Sequence, residues 1–238
     1  MIARVHGWIP DPAHAPIFGG NATRVALAMR GGISPASASI PFGEVFDQGQ
    51  SGSCVAQASA KCLELVTGVR PSRLAIYEAA RVRGGQSIEA LRDVGCIPAL
   101  AVEAMTLEGV SAEERWAFDP AKVLKATPWD VLRADVKVGG WAKLEGPDQV
   151  RAALASGHPV MFGMPVDEAF ESYAGGLYPG RSGASLGGHM QTIVGYSSDA
   201  FRVLNSWGTG WGHGGCSWIA EAYLFGGEPS DFYVLGAP

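Results

Sequence analysis

Positive charge is scarce in this chain. Eighteen lysines and arginines stand against 23 acidic residues, a net charge of −5, so no basic face is offered to a phosphate backbone and nucleic-acid binding is disfavoured. Charged residues of both signs make up only 17% of the sequence against 47% apolar, which excludes general disorder. Long apolar runs are missing as well. None approaches the length that crosses a bilayer, and Met1 to Pro10 lacks the apolar core of a secretory signal, so no membrane partner is expected and the expected location is the cytoplasm. Cysteine is sparse: Cys54, Cys62, Cys96 and Cys216 show no CxxC pairing, so metal-ligand spacing is absent and neither metal nor cofactor is expected. On one helix Cys54 and Cys62 would stand roughly 12 Å apart, too far to bridge. A reducing setting fits four separate thiols.

What is present is a core large enough for one sizeable domain or two small ones. Residues 1–40, rich in Pro, Gly, Ala and Ser, read as an arm that wraps a domain, with Trp8, Ile9, Ile17 and Phe18 as apolar anchors and one short helix near Thr23 to Arg30. Residues 41–238 then change character midway. The helical half, about 41–130, carries helices from Cys54 to near Gly68, from Ser72 to about Arg83 and from Ile88 to Val94, with shorter pieces around Pro98 to Met105 and Ala112 to Phe118. The strand half, about 131–238, offers strands at Val131 to Val138, Pro159 to Met164, His189 to Tyr196, Phe201 to Asn205, Cys216 to Ala220 and Phe232 to Leu235. Short helices at Pro147 to Ser156 and Asp167 to Tyr173 punctuate them. Helices first and strands afterwards predict an α+β protein of two packed lobes with a site in the cleft between them.

The stretch Asp47-Gln48-Gly49-Gln50-Ser51-Gly52-Ser53-Cys54 sets a cysteine at a helix start. Free N–H groups and the positive end of the helix dipole favour a thiolate there, although a lone cysteine is by default an inert core residue. A nucleophile needs a base, and the base an orienting partner. Of five histidines, His6 and His14 in the arm are expected to face solvent, His158 occupies a turn and His213 a glycine loop. His189 differs, because it follows Gly187-Gly188 and opens an apolar strand, where backbone can approach a ligand closely. Asn205 ends the next strand before Ser206-Trp207-Gly208. Its amide oxygen can hold one imidazole nitrogen and fix the tautomer, and Trp207 over that bond would exclude water.

Taken together, Asp47-Gln48-Gly49-x-x-Gly52-Ser53-Cys54, Gly188-His189 and Asn205-Ser206-Trp207-Gly208 resemble the papain-like (C1 family) cysteine peptidases. His189 follows Cys54 by 135 residues (189 − 54) and Asn205 by 151 (205 − 54), close to the family's own spacing of roughly 130–150 residues. The resemblance implies a helical lobe bearing the nucleophile, an antiparallel β-barrel-like second lobe, and a peptide or protein substrate. It implies Cys54 as nucleophile, His189 as base and then acid, Asn205 orienting His189, and Gln48 with the Cys54 N–H at the oxyanion. Trp207 would shield the His189–Asn205 bond. Gly84, Gly85, Gly188 and Trp211 would line the substrate cleft, the two paired glycines as a short backbone bridge.

Two positions depart from the family pattern: Ser51 stands where a disulfide cysteine is usual, and Val55 where tryptophan is usual. Without a long helical pro-domain the chain looks like the bacterial or phage branch, with Gly7-Trp8-Ile9-Pro10-Asp11 as its short leader and a phage-encoded or virion-associated origin compatible with it. The arm is expected to pack on the core and to cover the cleft. An amidase or acyltransferase on the same scaffold, or a non-catalytic structural module, are the alternatives. The intact set of Gln48, Cys54, His189 and Asn205 speaks against the last.

Overall fold

The computed structural model describes residues 4–21 and 35–238. The helix expected near Thr23 to Arg30 lies outside the described residues. Three helices build the first lobe: α1 Cys54–Thr67, α2 Arg73–Arg83 and α3 Pro98–Leu107. Each boundary has a local cause. α1 stops where Gly68 turns left-handed (φ 76°) and donates its N–H to Glu64. α2 starts where the Ser72 hydroxyl accepts from Ala75 N–H, and α3 starts on a proline in its first turn.

Three expected elements shrink, each because a tertiary bond outcompetes the local pattern. Of the helix expected over Ile88 to Val94 only the turn Ile88–Ala90 forms. Asp93 is drawn inward instead, accepting from Gly52 N–H at 2.9 Å and the Tyr77 hydroxyl at 2.6 Å. Ala112 to Phe118 keeps one turn, Glu113–Arg115, whose Glu113 carboxylate reaches back to Arg73. Val131 to Val138 is no strand, since Val136 exchanges both backbone bonds with Val110 and Val138 N–H goes to Met105.

The second lobe is a sheet of β1 Phe18–Gly20, β2 Ala38–Ser39, β3 Gly140–Lys143, β4 Val160–Val166, β5 Leu177–Tyr178, β6 Gly187–Ser197, β7 Ala200–Leu204, β8 Cys216–Ala220 and β9 Ser230–Gly236. Helices α4 Pro147–Ala155 and α5 Glu168–Glu171 pack beside it. The strands run β1-β3-β9-β4-β6-β7-β8-β5, with β2 also on β6. All pairings are antiparallel except β5 with β8. The path is open and does not close into a barrel, so the antiparallel lobe is sheet-like where a barrel-like one was expected. The α+β class holds.

Strand alternation divides the core. Met161 and Met190 face α1 and its neighbours, while Phe162, Met164 and Ile193 from the same strands face the interior of the second lobe. Strands β4 and β6 therefore form the floor on which α1 lies, and the site stands at the end of that contact. Behind α1, the Arg73 guanidinium holds Glu113 at 2.5 Å and Gln57 Oε1 at 3.0 Å. Glu113 also accepts from the N–H groups of Arg73 and Phe118, both at 2.9 Å. Removing one partner of such a buried pair strands the other charge, so Glu113→Ala is expected to cost about 3–5 kcal/mol. Denaturant unfolding would measure it, and a loss below 1 kcal/mol would show the pair to be dispensable.

The arm docks along the seam, but by different anchors from those expected. Trp8 is buried, whereas Ile9, Ile17 and Phe18 are exposed. The stronger tether is polar. Asp11 accepts from Ala99 N–H at 2.9 Å, pairs with Lys143 at 2.6 Å, and is bonded by the Tyr233 hydroxyl. Strand β1 then joins the sheet edge on β3.

Candidate active site

Cys54 is the first residue of α1 and fully buried. The loop before it is held by its own side chains. Ser51 Oγ donates to Gln48 O at 2.8 Å and lies 2.7 Å from Ser53 Oγ, while Ser53 also accepts from Gln57. Ser53 therefore spends its hydroxyl on this local network and does not cap α1 through its side chain. The position that holds a disulfide cysteine in the family is here a hydrogen-bonding serine. All four cysteines are free and buried.

Strand β6 brings His189 to the other side of the cleft. The His189 Nε2 lies 2.7 Å from Asn205 Oδ1, and that same oxygen accepts from the Ser206 backbone N–H at 2.7 Å. Because a backbone N–H fixes which end of the Asn205 amide is oxygen, Nε2 must be the protonated, donating nitrogen. Nδ1 is then the lone-pair nitrogen, and it is buried without a hydrogen-bond partner among the described residues. Trp207 stacks on the imidazole at 4.4 Å and 24°. Trp211 stands edge-on to Trp207 at 5.3 Å and is anchored by its Nε1–H to the carbonyls of Phe170 and Glu171.

The Gln48 amide is likewise fixed. Its Nε2 donates to Ser51 O at 2.7 Å and its Oε1 accepts from Ser206 Oγ at 2.6 Å. One of its two N–H bonds is thus committed and one remains. Backbone bonds from Gln48 N–H to Ser206 O and from Gly208 N–H to Phe46 O, both 2.9 Å, tie the loop before Cys54 to the Asn205 loop. The lobes are stapled where the chemistry would occur.

The cleft is filled by the chain's own residues 4–9. Arg4 lies over Trp207 at 4.1 Å. The His6 ring, expected in solvent, is buried 6.3 Å from His189 and 2.9 Å from Glu171. Gly7 crosses beside Cys54 so closely that a Cβ on it would fall 1.8 Å from Gly52 O. Trp8 N–H donates to Gly188 O at 2.9 Å. On the opposite wall Cys96 N–H donates to Gly7 O at 2.9 Å and Ile9 N–H to Cys96 O at 3.3 Å, a parallel bridge.

Cys54 and His189 are both buried in this state, and burial governs their titration. Burial pushes the Cys54 thiol up to about 11, against opposing backbone hydrogen bonds from Met190, Gly7, Val55 and Cys54 itself. Burial likewise holds His189 down at about 3, opposed by its Asn205 bond and reinforced by the nearby His6 and Arg4. Burial thus opposes charge on both the thiol and the imidazole.

The expected cleft residues divide. Gly188 is in the cleft, on the arm's backbone. Gly84 and Gly85 are not: they are exposed at the end of α2, bonded to Ala80 and Val82, and the backbone bridge is made by Gly95 and Cys96 instead. A Gly95 Cβ would lie 2.1 Å from Gly7 O. The sequence holds many glycines, and only the path of the chain after α2 shows which of them reaches the wall. His158 and His213 keep the peripheral places expected of them, His158 on Ser156 O at 3.1 Å and His213 exposed. Among the described residues no cluster of His, Cys, Asp or Glu could hold a metal ion.

Comparison with known proteins agrees with this geometry. Xylellain, a cysteine protease from Xylella fastidiosa, superposes with a TM-score of 0.83 at 24% identity, over 100% of this chain and 99% of its own. An uncharacterized peptidase C1-like protein of Acanthamoeba polyphaga mimivirus is 29% identical over 220 residues, 79% of this chain and 68% of that protein. Macrodontain-1 of Ananas macrodontes is 27% identical over 180 residues, 72% of this chain and 80% of that protein. The sequence profile of the papain family of cysteine proteases matches residues 36–224. Matched over most of its length by that profile, and carrying a helix-borne cysteine and a strand-borne histidine bonded to its asparagine, this chain belongs to the papain family of cysteine proteases, and it is a peptidase.

Proposed function

We propose that the protein hydrolyses peptide bonds through a Cys54 thioester and is latent while residues 4–9 occupy its cleft. The supporting observation is the His189–Asn205 bond. By fixing Nε2 as donor it leaves Nδ1 as the base for the thiol, with Cys54 at the positive end of α1. With the cleft open to substrate, His189 takes the Cys54 proton as sulfur attacks the carbonyl, and the imidazolium stays on Asn205. The oxyanion accepts from the Cys54 N–H and the uncommitted Gln48 N–H. His189 then protonates the leaving amine and afterwards takes a proton from a water whose oxygen attacks the thioester carbonyl; the C–S bond breaks, the acid leaves, and the proton returns to the Cys54 sulfur. An epoxysuccinyl thiol inhibitor tests the assignment. The expected result is a single adduct on Cys54 by intact mass, faster in an arm-displaced chain than in the native one. No adduct in either would end the peptidase assignment of Cys54.

Acid should open the cleft. Burial holds His6 and His189 below the ordinary histidine value of 6.5, His6 in spite of Glu171 beside it and with Arg4 acting in the same direction. A docked arm therefore binds fewer protons than a released one. Docking is at full strength above about 6.5 and is lost as the pH falls through that value toward the docked pKa values. Amide exchange at Trp8 and Ile9, corrected for intrinsic rates, should lose protection between pH 7.5 and 5. His6→Phe should flatten that dependence. Constant protection across the range would refute it.

A further inference from the structure

Trp8 does more than plug the cleft. Its indole fills a slot in the second lobe whose walls are glycine backbone. A Cβ on Gly163 would fall 2.0 Å from indole Cε2, and one on Gly188 would fall 2.5 Å from Cε3. Any side chain at either position would close the slot to a flat ring. At its far end the indole Nε1–H donates to Asp231 Oδ2 at 3.0 Å. Asp231 is aimed there by a backbone irregularity. Between the pairs Met161–Tyr233 and Gly163–Ser230, β9 takes three steps against two on β4. Asp231, in that extra length, adopts φ 56°, the only positive φ of a non-glycine among the described residues. A bulge that strains a residue to turn its side chain is a device found beside functional sites.

We propose that this slot is a substrate pocket that selects a tryptophan side chain of the peptide, read by Asp231 through the indole N–H. The proposal rests on the peptidase reading above and names the substrate class it takes. With the arm in place, Asp231 Oδ2 accepts from two of the arm's donors, the Trp8 indole and the Asp11 backbone N–H at 3.0 Å. When the arm leaves, that oxygen loses both and is open to water until a side chain enters the slot. A side chain of the same depth carrying an N–H restores a bond, and one without leaves the carboxylate unpaired. Sites built in this way reject the analogue that lacks the donor far more strongly than apolar pockets reject a changed shape. Lys143 Nζ lies 3.2 Å from the other oxygen, Oδ1, and 2.6 Å from Asp11 of the arm, so once the arm is away it is left to balance Asp231 without help from the substrate. A guanidinium would be set toward that ammonium, whereas a neutral indole would not.

The test uses the isostere 3-benzothienylalanine, in which sulfur replaces the indole N–H. In the full chain carrying Gly7→Val to displace the arm, fluorogenic peptides would carry Trp, 3-benzothienylalanine, Phe or Arg in turn at each of the three positions before the scissile bond. At one position Trp should exceed each of the others by about 10-fold or more in kcat/KM. Asp231→Gly, which tolerates the positive φ, should erase the gap between Trp and its isostere. Equal rates for that pair, or a gap that survives Asp231→Gly, would overturn the proposal. A second measurement needs no turnover: the full chain with Trp8→Gly should bind indole at least about 10-fold more tightly than benzothiophene, and equal affinities would also overturn it. Loss of all hydrolysis together with absence of a Cys54 adduct would instead count against the catalytic assignment, so the two failures are separable.

Discussion

Replacing Gly7 by valine in the full chain is expected to raise peptide hydrolysis by at least about 10- to 100-fold. A Cβ at residue 7 would lie 1.8 Å from Gly52 O, and that contact is with backbone on a loop fixed by Ser51, Ser53 and Asp93. Neither side can yield by rotating a side chain, so the arm must lift. With it go the bonds of Trp8 N–H to Gly188, Ile9 N–H to Cys96 and Cys96 N–H to Gly7 O. Gly7 does not use a left-handed conformation, so valine imposes no backbone strain on the released arm. If the native chain works only in the fraction of time its arm is away, its apparent activity is scaled down by that fraction, and displacement recovers the difference. Paired assays of native and Gly7→Val chains at pH 7.5 decide the matter. Equal rates would mean that the arm does not govern access.

In that arm-displaced background, Cys54→Ala is expected to reduce kcat/KM by at least about 10⁴-fold while leaving the protein folded, because the nucleophile is removed and only binding and oxyanion stabilisation remain. The alanine keeps the Cβ at the head of α1. A large drop in thermal stability would mean that the thiol is mainly a packing residue. His189→Ala should cost about 10²–10⁴-fold, the usual worth of positioned acid–base catalysis. Asn205→Ala should cost less, since it removes orientation but not the base. Losses for Asn205→Ala equal to those for His189→Ala would show that the amide does more than orient the ring.

The candidate site residues could be singled out from the chain because each is announced by its neighbours. Cys54 stands where a polar glycine loop meets an apolar helical pattern, His189 opens an apolar strand, and Asn205 closes the next before a tryptophan. Local patterning of that kind survives folding because it is what the helix and strand ends are made from. The elements that failed, Ile88 to Val94 and Val131 to Val138, failed for the opposite reason. Asp93 and Val136 answer to partners far away in sequence, Gly52 with Tyr77 and Val110, and no local pattern records a distant partner. Gly84-Gly85 was the wrong glycine pair for the wall because a glycine's use depends on what backbone passes it, and that is known only once Gly95 is seen against Gly7.

The sequence by itself determined the family and the α+β order of the lobes, and it nominated Cys54, His189, Asn205 and Gln48 as the candidate set, since these follow from residue type and order along the chain. Only the tertiary structure decided what lies over them. That the arm covers the cleft was expected from its resemblance to a short leader, but nothing in residues 4–9 told which backbone each of them would meet. Close contact of Gly7 with Gly52 and Gly95, and of Trp8 with Gly163, Gly188 and Asp231, arises from surfaces assembled out of five separate segments. That assembly buries Cys54 and His189 and opposes charge on both, so the environment of the site is set by the fold and not by the motif.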